Sequence, residues 1–228
     1  MDICLGNGIM RFTIITPTLQ RSSLVRACNS VDSQSYSDWQ HIVMVDRAKL
    51  DHALLAGIHH PQRAVIKCPV PHHNYGNTCR HNAWELATGD YCLMLDDDNY
   101  LTDNKILEDI AANLEDSPHW ALFPILRRGR LFFHDPPGLK VTDTANVVVR
   151  REIARWPDIL EYAADARWVE GLKAYPHKSL PDFRPIVDMP IQSKGRSSAK
   201  RWDIREKVAR TWRDIGLLYS KRGSSTPL

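Results

Sequence analysis

No two cysteines in this chain stand at C-x-x-C spacing, and the five present, at positions 4, 28, 68, 79 and 92, are odd in number. That pattern argues against a disulfide frame and predicts reduced thiols in a cytoplasm. No uninterrupted apolar stretch approaches the length of a membrane span. The opening MDICLGNGIMRF lacks the basic, then apolar, layout of a signal peptide, so a cytoplasmic protein is expected. There is no internal repeat. Disorder is excluded by what is there: 43% hydrophobic residues and seven Trp belong to a folded chain. At 228 residues, one α/β domain with an appended segment fits better than two full domains.

The net charge of +3 conceals an asymmetry. From Lys194 to the end there are ten Lys/Arg against three Asp/Glu, so the preceding 193 residues are mildly acidic. A basic tail suits an acidic membrane surface or a lipid-diphosphate acceptor. It suits a solvated helix equally well. No recognised nucleic-acid motif accompanies it, and no nucleic-acid partner is expected.

Apolar runs and breakers mark the elements. RFTIIT (11–16) predicts a strand that ends at Pro17, and HIVMV (41–45) one that stops at Asp46. AVIKC (64–68) and YCLML (91–95) predict two more, the last running into three aspartates. Between them, Leu24, Val25, Cys28 and Val31 share a helical face behind Ser22 or Ser23 as cap, and 48–57 has helical spacing. The segment from Thr78 predicts a helix capped by Gly89. Further on, Asp103 heads a helix over 104–115, and 120–134 forms hairpin-like segments before the turn residues 135–138. ANVVVRR (145–151) is a strand candidate, helical stretches lie around 159–174, and 176–200 has loop composition. From Trp202 an amphipathic helix is expected.

Strands alternating with helices imply a mainly parallel sheet with right-handed crossovers, flanked by helices. Ligands bind such sheets beyond the carboxyl ends of the strands. Thr16, Asp46 and Asp96 each end a strand, which brings polar groups to one edge. Three adjacent aspartates (96–98) repel one another, and the arrangement makes sense if a cation, or a phosphate bridged by one, belongs there.

FTIITPT, then VMVD, then NTCRHNAWELATGDYCLMLDDDN resembles the nucleotide-binding half of a GT-A glycosyltransferase of the family 2 type. The resemblance is close over residues 11–100 and looser over 140–180. It implies a GT-A domain over 1–193, with a nucleotide-binding half (11–100) and an acceptor half (101–193), ahead of the basic helical segment 194–228. It implies an enzyme moving a sugar from a nucleotide-diphosphate donor to an acceptor hydroxyl with inversion; the acceptor is a glycan, a lipid-linked sugar or a small molecule. Mn2+ or Mg2+ is implied on Asp98, a hard cation preferring carboxylate oxygen. Asp96 and Asp97 would orient the ribose and metal-bound water. Thr16 and Asp46 would lie at the nucleobase, with Asp46 accepting a pyrimidine N–H, which favours UDP or dTDP, and Pro17 and Thr18 would join them in binding the nucleotide. Arg80 would sit near the base or phosphates. His81 and Arg47 depart from the family pattern.

The stretch YAADARWVEGLKAYPHK (162–178) contains D-A-R-W, similar to a motif of the spore-coat polysaccharide type of the same family. Asp165 is therefore the expected catalytic base, with Glu161 and Glu170 as competitors. Two other readings compete. A nucleotidyltransferase would carry a Gly-rich loop after the first strand, and TPTLQRSS has no glycine. A non-catalytic nucleotide-sugar binding module would have no need of an intact set of Asp96 to Asp98 and Asp165. Cys68, His72, His73 and Cys79 can be drawn as a zinc site, but their spacing is irregular. His134 and His177 are further candidates for the donor metal.

Overall fold

Which residues alternate between the two faces of the central sheet decides where its helices lie. The computed structural model describes residues 10–72, 74–138, 142–153, 155–157 and 164–190. Seven strands form that sheet: β1 (Phe12–Thr18), β2 (Trp39–Val45), β3 (Arg63–Lys67), β4 (Tyr91–Met94), β6 (Trp120–Leu122), β9 (Val147–Arg150) and β10 (His177–Ser179). Their order is β10-β6-β9-β4-β1-β2-β3, with β9 antiparallel to both its neighbours and the other pairs parallel.

The helices are α1 (Leu24–Asp32), α2 (His52–Ala56), α3 (Asn77–Leu86), α4 (Ile106–Asn113) and α5 (Ala164–Leu172). Phe12, Ile14, Leu93 and Val148 point to one face and bury against Ala27 and Val31 of α1 and Ile106, Leu107 and Ile110 of α4. Their neighbours Ile15, Cys92, Met94, Val147 and Val149 point to the other, against Cys79, Ala83 and Trp84 of α3 and Trp168, Val169 and Leu172 of α5. The period of two along each strand thus produces a three-layer sandwich. A small second sheet joins β5 (Tyr100–Leu101), β11 (Val187–Met189), β7 (Ile125–Arg127) and β8 (Arg130–Phe132) in that order. Among the described residues no helix is long and apolar enough to cross a membrane.

The chain moves outward from β1 through β2 to β3, then returns to place β4 on the other side of β1. That reversal opens a crevice at the carboxyl ends of β1 and β4, where open α/β sheets bind ligands.

Several expected boundaries move. β1 runs through Pro17 to Thr18. Ile15 faces β4 and Thr18 faces β2, since their carbonyls accept from Leu95 and Asp46 respectively. Pro17 therefore faces the β4 side, past the last β1–β4 pair at Ile15 and Met94, where no ladder bond asks for its missing N–H. Helix α2 begins only at His52, behind Asp51, whose side chain accepts from the Leu54 N–H. Ser23 occupies the N-cap position of α1 without a side-chain capping bond, and Asp103 does not cap α4 but accepts from Lys105 N in a turn.

Helix α3 is already over at Leu86, so Gly89 is no cap. A Cβ on Gly89 would lie 2.6 Å from the Phe12 carbonyl carbon and the Thr13 nitrogen, so the residue is glycine to let β1 pass. The stretch 176–190 contributes β10 and β11 rather than only loop. The expected helix from Trp202 lies outside the described residues.

Candidate functional site

The carboxyl ends of β1, β2 and β4 deliver the expected acidic groups to one edge. Beyond β4 the aspartates alternate: Asp96 and Asp98 are partly exposed, whereas Asp97 between them is buried. Asp97 Oδ2 accepts from Thr18 Oγ1 at 2.6 Å and from Leu19 N at 3.3 Å, and Oδ1 accepts from Arg21 Nη1 at 3.1 Å. Burial pushes its carboxyl above the ordinary carboxylate value, opposed by Arg21 and the Thr18 hydrogen bond. Asp97 is thus the clamp between β1 and β4, and Asp96 and Asp98 are the carboxylates left accessible at this edge. The same Arg21 Nη1 lies 2.6 Å from Asp98 Oδ2. Arg26 of α1 donates to the Asp98 carbonyl at 3.0 Å and stacks over Tyr100.

Asp96 pairs with Arg80 of α3. Arg80 also donates to the Tyr75 carbonyl at 2.8 Å and lies over the Trp156 ring, while its buried Nε has no hydrogen-bond partner among the described residues. Helix α3 starts at Gly76, φ +79°, where a Cβ would stand 2.7 Å from Pro17 Cβ. Pro17 therefore acts as the platform on which the first turn of α3 rests, setting the reach of Arg80.

Asp46 follows β2, is 2% exposed, and accepts from the His72 backbone N–H at 2.6 Å. Thr16 is not brought to the crevice. It is fully buried, with Oγ1 2.9 Å from His41 Nε2. His41 Nδ1 accepts from Arg63 Nε at 3.0 Å, so the ring proton sits on Nε2 and donates to Thr16. Arg63 pairs with Asp32 and donates to the Cys28 carbonyl. Burial first, then the Arg63 charge, holds His41 well below the ordinary imidazole value. This buried network lies under the site and fixes β1, β2, β3 and α1 together. The side chain of Thr16, expected at the nucleobase, is engaged in this network.

Asp165 stands in the first turn of α5, with Oδ1 accepting from Ala166 N at 2.7 Å. Desolvation raises its carboxyl above the ordinary value; the Ala166 bond and the Arg80 charge oppose the rise, and Asp96 adds to it. The charges of Arg80 and Asp96 both act on Asp165, which places it in the field of that ion pair. Asp143 joins the same field: burial raises it first, and Asp96 and Asp165 raise it further. It caps the short 3-10 turn Thr144–Asn146 that leads into β9. Of the competing carboxylates, Glu170 is exposed and paired with Lys173 at 2.8 Å, and Glu161 lies outside the described residues.

Sequence reasoning missed Arg21, Arg26, His41 and Asp143. The D-x-x-N spacing of Asp143 and Asn146 was a legible capping signal; nothing local in TPTLQRSS marked Arg21 as the partner of the aspartates. Of the histidines, His134 is exposed, and His177 stacks on Trp120 beside Asp135, three strands away from β4. Among the described residues the drawn zinc set comes together only at Cys68 and Cys79; His72 offers its backbone to Asp46, and His73 lies outside the described residues.

The sequence model of glycosyl transferase family 2 matches residues 13–167, a span that includes Thr18, Asp46, Arg80, Asp96 to Asp98 and Asp165. The chain belongs to glycosyl transferase family 2. Its mixed, mainly parallel sheet flanked by helices is the GT-A fold. S. aureus TarS, solved with UDP-GlcNAc, superposes with a TM-score of 0.66 at 18% identity, over 82% of this chain and 60% of that one. The mannosyltransferase PcManGT from Pyrobaculum calidifontis, solved with GDP-Man and Mn2+, gives 0.64 at 15% identity, over 97% of this chain and 67% of that one. The family 2 chain thus spans about 60% of the TarS 1-349 structures and 37% of the longer TarS structure. No curated protein sequence matches it.

Proposed function

We propose that this family 2 chain transfers a sugar from a nucleotide-diphosphate donor to an acceptor hydroxyl, with inversion and with Asp165 as the base. The observation that carries the reading is the ion pair of Arg80 with Asp96 together with the electrostatic influence of both charges on Asp165. A donor site and a candidate base thereby share one electrostatic neighbourhood.

A divalent cation fits the aspartates. Asp96 and Asp98 offer carboxylate oxygens at a partly exposed edge, the donor set that Mn2+ or Mg2+ takes together with water. Arg21 is the present counter-charge of Asp98, and its half-exposed side chain can turn aside; Asp96 is paired with Arg80. Bound there, the cation would act as a Lewis acid toward the departing diphosphate. The chain's own groups do the rest. Arg80, held by Asp96 and the Tyr75 carbonyl, offers a fixed positive charge to the donor. Asp46, fixed by the His72 amide, accepts a pyrimidine N–H, which favours UDP or dTDP donors. Asp165, its basicity raised by desolvation, takes the proton of the attacking hydroxyl.

The acceptor is a glycan, a lipid-linked sugar or a small molecule, and the basic run from Lys194 is the segment suited to meeting an anionic surface. A turnover screen of UDP-, dTDP- and GDP-sugars with Mn2+, Mg2+ or chelator tests the reading. Metal-dependent consumption of a UDP- or dTDP-sugar is expected. Absence of turnover with every donor and metal overturns it, and a clear preference for a GDP-sugar overturns the role given to Asp46.

A further inference from the structure

Directly behind Asp46, two thiols touch. Cys68 Sγ and Cys79 Sγ are 3.1 Å apart, both side chains are fully buried, and an Asp46 oxygen completes a group whose atoms all lie within 4.8 Å of one another. We propose that Cys68 and Cys79 are a disulfide-forming pair, oxidised by a small peroxide, whose closure alters the nucleotide side of the site.

The geometry favours a bond between the sulfurs over a metal between them. Two thiolates on one tetrahedral Zn2+ at about 2.3 Å each lie about 3.8 Å apart, so a cation would have to force this pair open. A disulfide needs them to close to about 2.05 Å, a shift of about 1 Å. Cys28 and Cys92, the other described cysteines, show no such contact and are pushed up to about 12 by burial. In the pair, the hydrogen bond from Cys79 lowers Cys68 and raises Cys79, which makes Cys68 the first nucleophile.

The step balances with hydrogen peroxide. The Cys68 thiolate attacks one peroxide oxygen, the O–O bond breaks, and the released hydroxide takes a proton to leave as water. Cys68 is then a sulfenic acid. The Cys79 sulfur attacks the Cys68 sulfur, the S–O bond breaks, and a second water leaves with the Cys79 proton. Two electrons pass from the two thiols to the peroxide, and both oxygens end as water.

The consequence follows from what lies between the cysteines. Cys68 continues β3, its N–H donating to the Val45 carbonyl beside Asp46; Cys79 precedes Arg80 on α3. The intervening chain supplies the His72 amide that holds Asp46 and the Tyr75 carbonyl that holds Arg80. Drawing α3 toward β3 therefore displaces Arg80 against Asp96. The thiol chemistry stands by itself, and only its effect on nucleotide binding rests on the function proposed above.

Trypsin cuts after Lys67 and Arg80, so one peptide, 68–80, carries both cysteines and no other. Full-length protein treated with hydrogen peroxide should yield that peptide two hydrogens lighter and closed to alkylation, and dithiothreitol should restore it. Cys79→Ala should abolish the change, as should Cys68→Ser if the first variant folds poorly. Oxidised protein should bind UDP with Mn2+ about fivefold more weakly, the low end of ordinary coupling between sites, and Cys79→Ala should not respond. If both thiols stay alkylatable, if either goes singly to sulfinic acid, or if the pair instead retains Zn2+ through dialysis, the proposal fails. Disulfide formation with unchanged UDP affinity overturns the coupling. No UDP binding in either state refutes the donor reading and leaves the disulfide standing.

Discussion

Arg21 Nη1 stands 2.6 Å from Asp98 Oδ2 and 3.1 Å from Asp97 Oδ1, so one arginine from the loop after β1 neutralises two of the three aspartates. The same place suits a cation. Arg21→Ala should therefore raise the affinity for Mn2+ alone by about threefold to tenfold, since a partly exposed like charge at this range is worth about 1 kcal/mol. Calorimetric titration of nucleotide-free protein measures it. A weaker Mn2+ affinity in the variant would mean that Arg21 orients Asp98 rather than competing at it.

The buried link from Thr16 through His41 to Arg63 makes the fold sensitive to acid. His41 is held well below its ordinary value, so the unfolded chain gains a proton near pH 6.5 that the folded chain refuses. Stability from this group is complete above that pH and is lost as pH falls, by about 1.4 kcal/mol per unit until the folded-state value is reached. Urea unfolding at pH 7.5, 6.0 and 5.0 should show that fall, and His41→Gln should flatten it. A parent profile that is level over this range would show that His41 is protonated in the fold.

Gly89→Ala should destabilise the protein by about 2 kcal/mol or more, because the added carbon would lie 2.6 Å from β1 backbone that cannot yield cheaply. Chemical unfolding measures the cost. A change under about 0.5 kcal/mol would mean that β1 and the turn before β4 are not held as described.

Asp165→Asn keeps size and most packing but cannot accept the acceptor proton. Transfer should fall by about 10²–10⁴, while UDP affinity with metal stays near that of the parent, because Asp46, Arg80 and the aspartates are untouched. Where the base is active, the rate should rise with pH through a value above the ordinary carboxylate range. Near-parental transfer by Asp165→Asn, with Glu161→Gln inactive, would move the base to Glu161.

The main sheet was legible because its strands are short β-branched runs punctuated by Pro17, Asp46 and the aspartates, and because period-two alternation fixes both faces. The crevice was legible for the same reason: polar strand ends of adjacent parallel strands must converge. Local spacing could not say which way a strand-end side chain turns. Thr16 and Thr18 look alike in FTIITPT and share one face of β1, yet Thr16 meets His41 of β2 whereas Thr18, at the strand end, clamps Asp97 beyond β4. Likewise the three aspartates look equivalent until alternation beyond β4 buries the middle one. Arg21 and Arg63 were illegible because their partners lie 76 and 31 residues distant in the chain, and Asp143, legible as a cap, gave no local sign of the field it shares with Asp96 and Asp165. Gly89 misled because a glycine after a helix ordinarily caps it, whereas here the packing of β1 demands it.

The central claim is that Asp96 and Asp98 hold a divalent cation that in turn holds a nucleoside diphosphate. Calorimetric titration of UDP into the parent protein and Asp98→Asn, each with Mn2+ and with chelator, tests it most directly. The account predicts tight binding for the parent with Mn2+, at least about tenfold weaker binding with chelator, and no response to Mn2+ in Asp98→Asn. Equal UDP affinity in all four titrations, or a full Mn2+ response in Asp98→Asn, would contradict it.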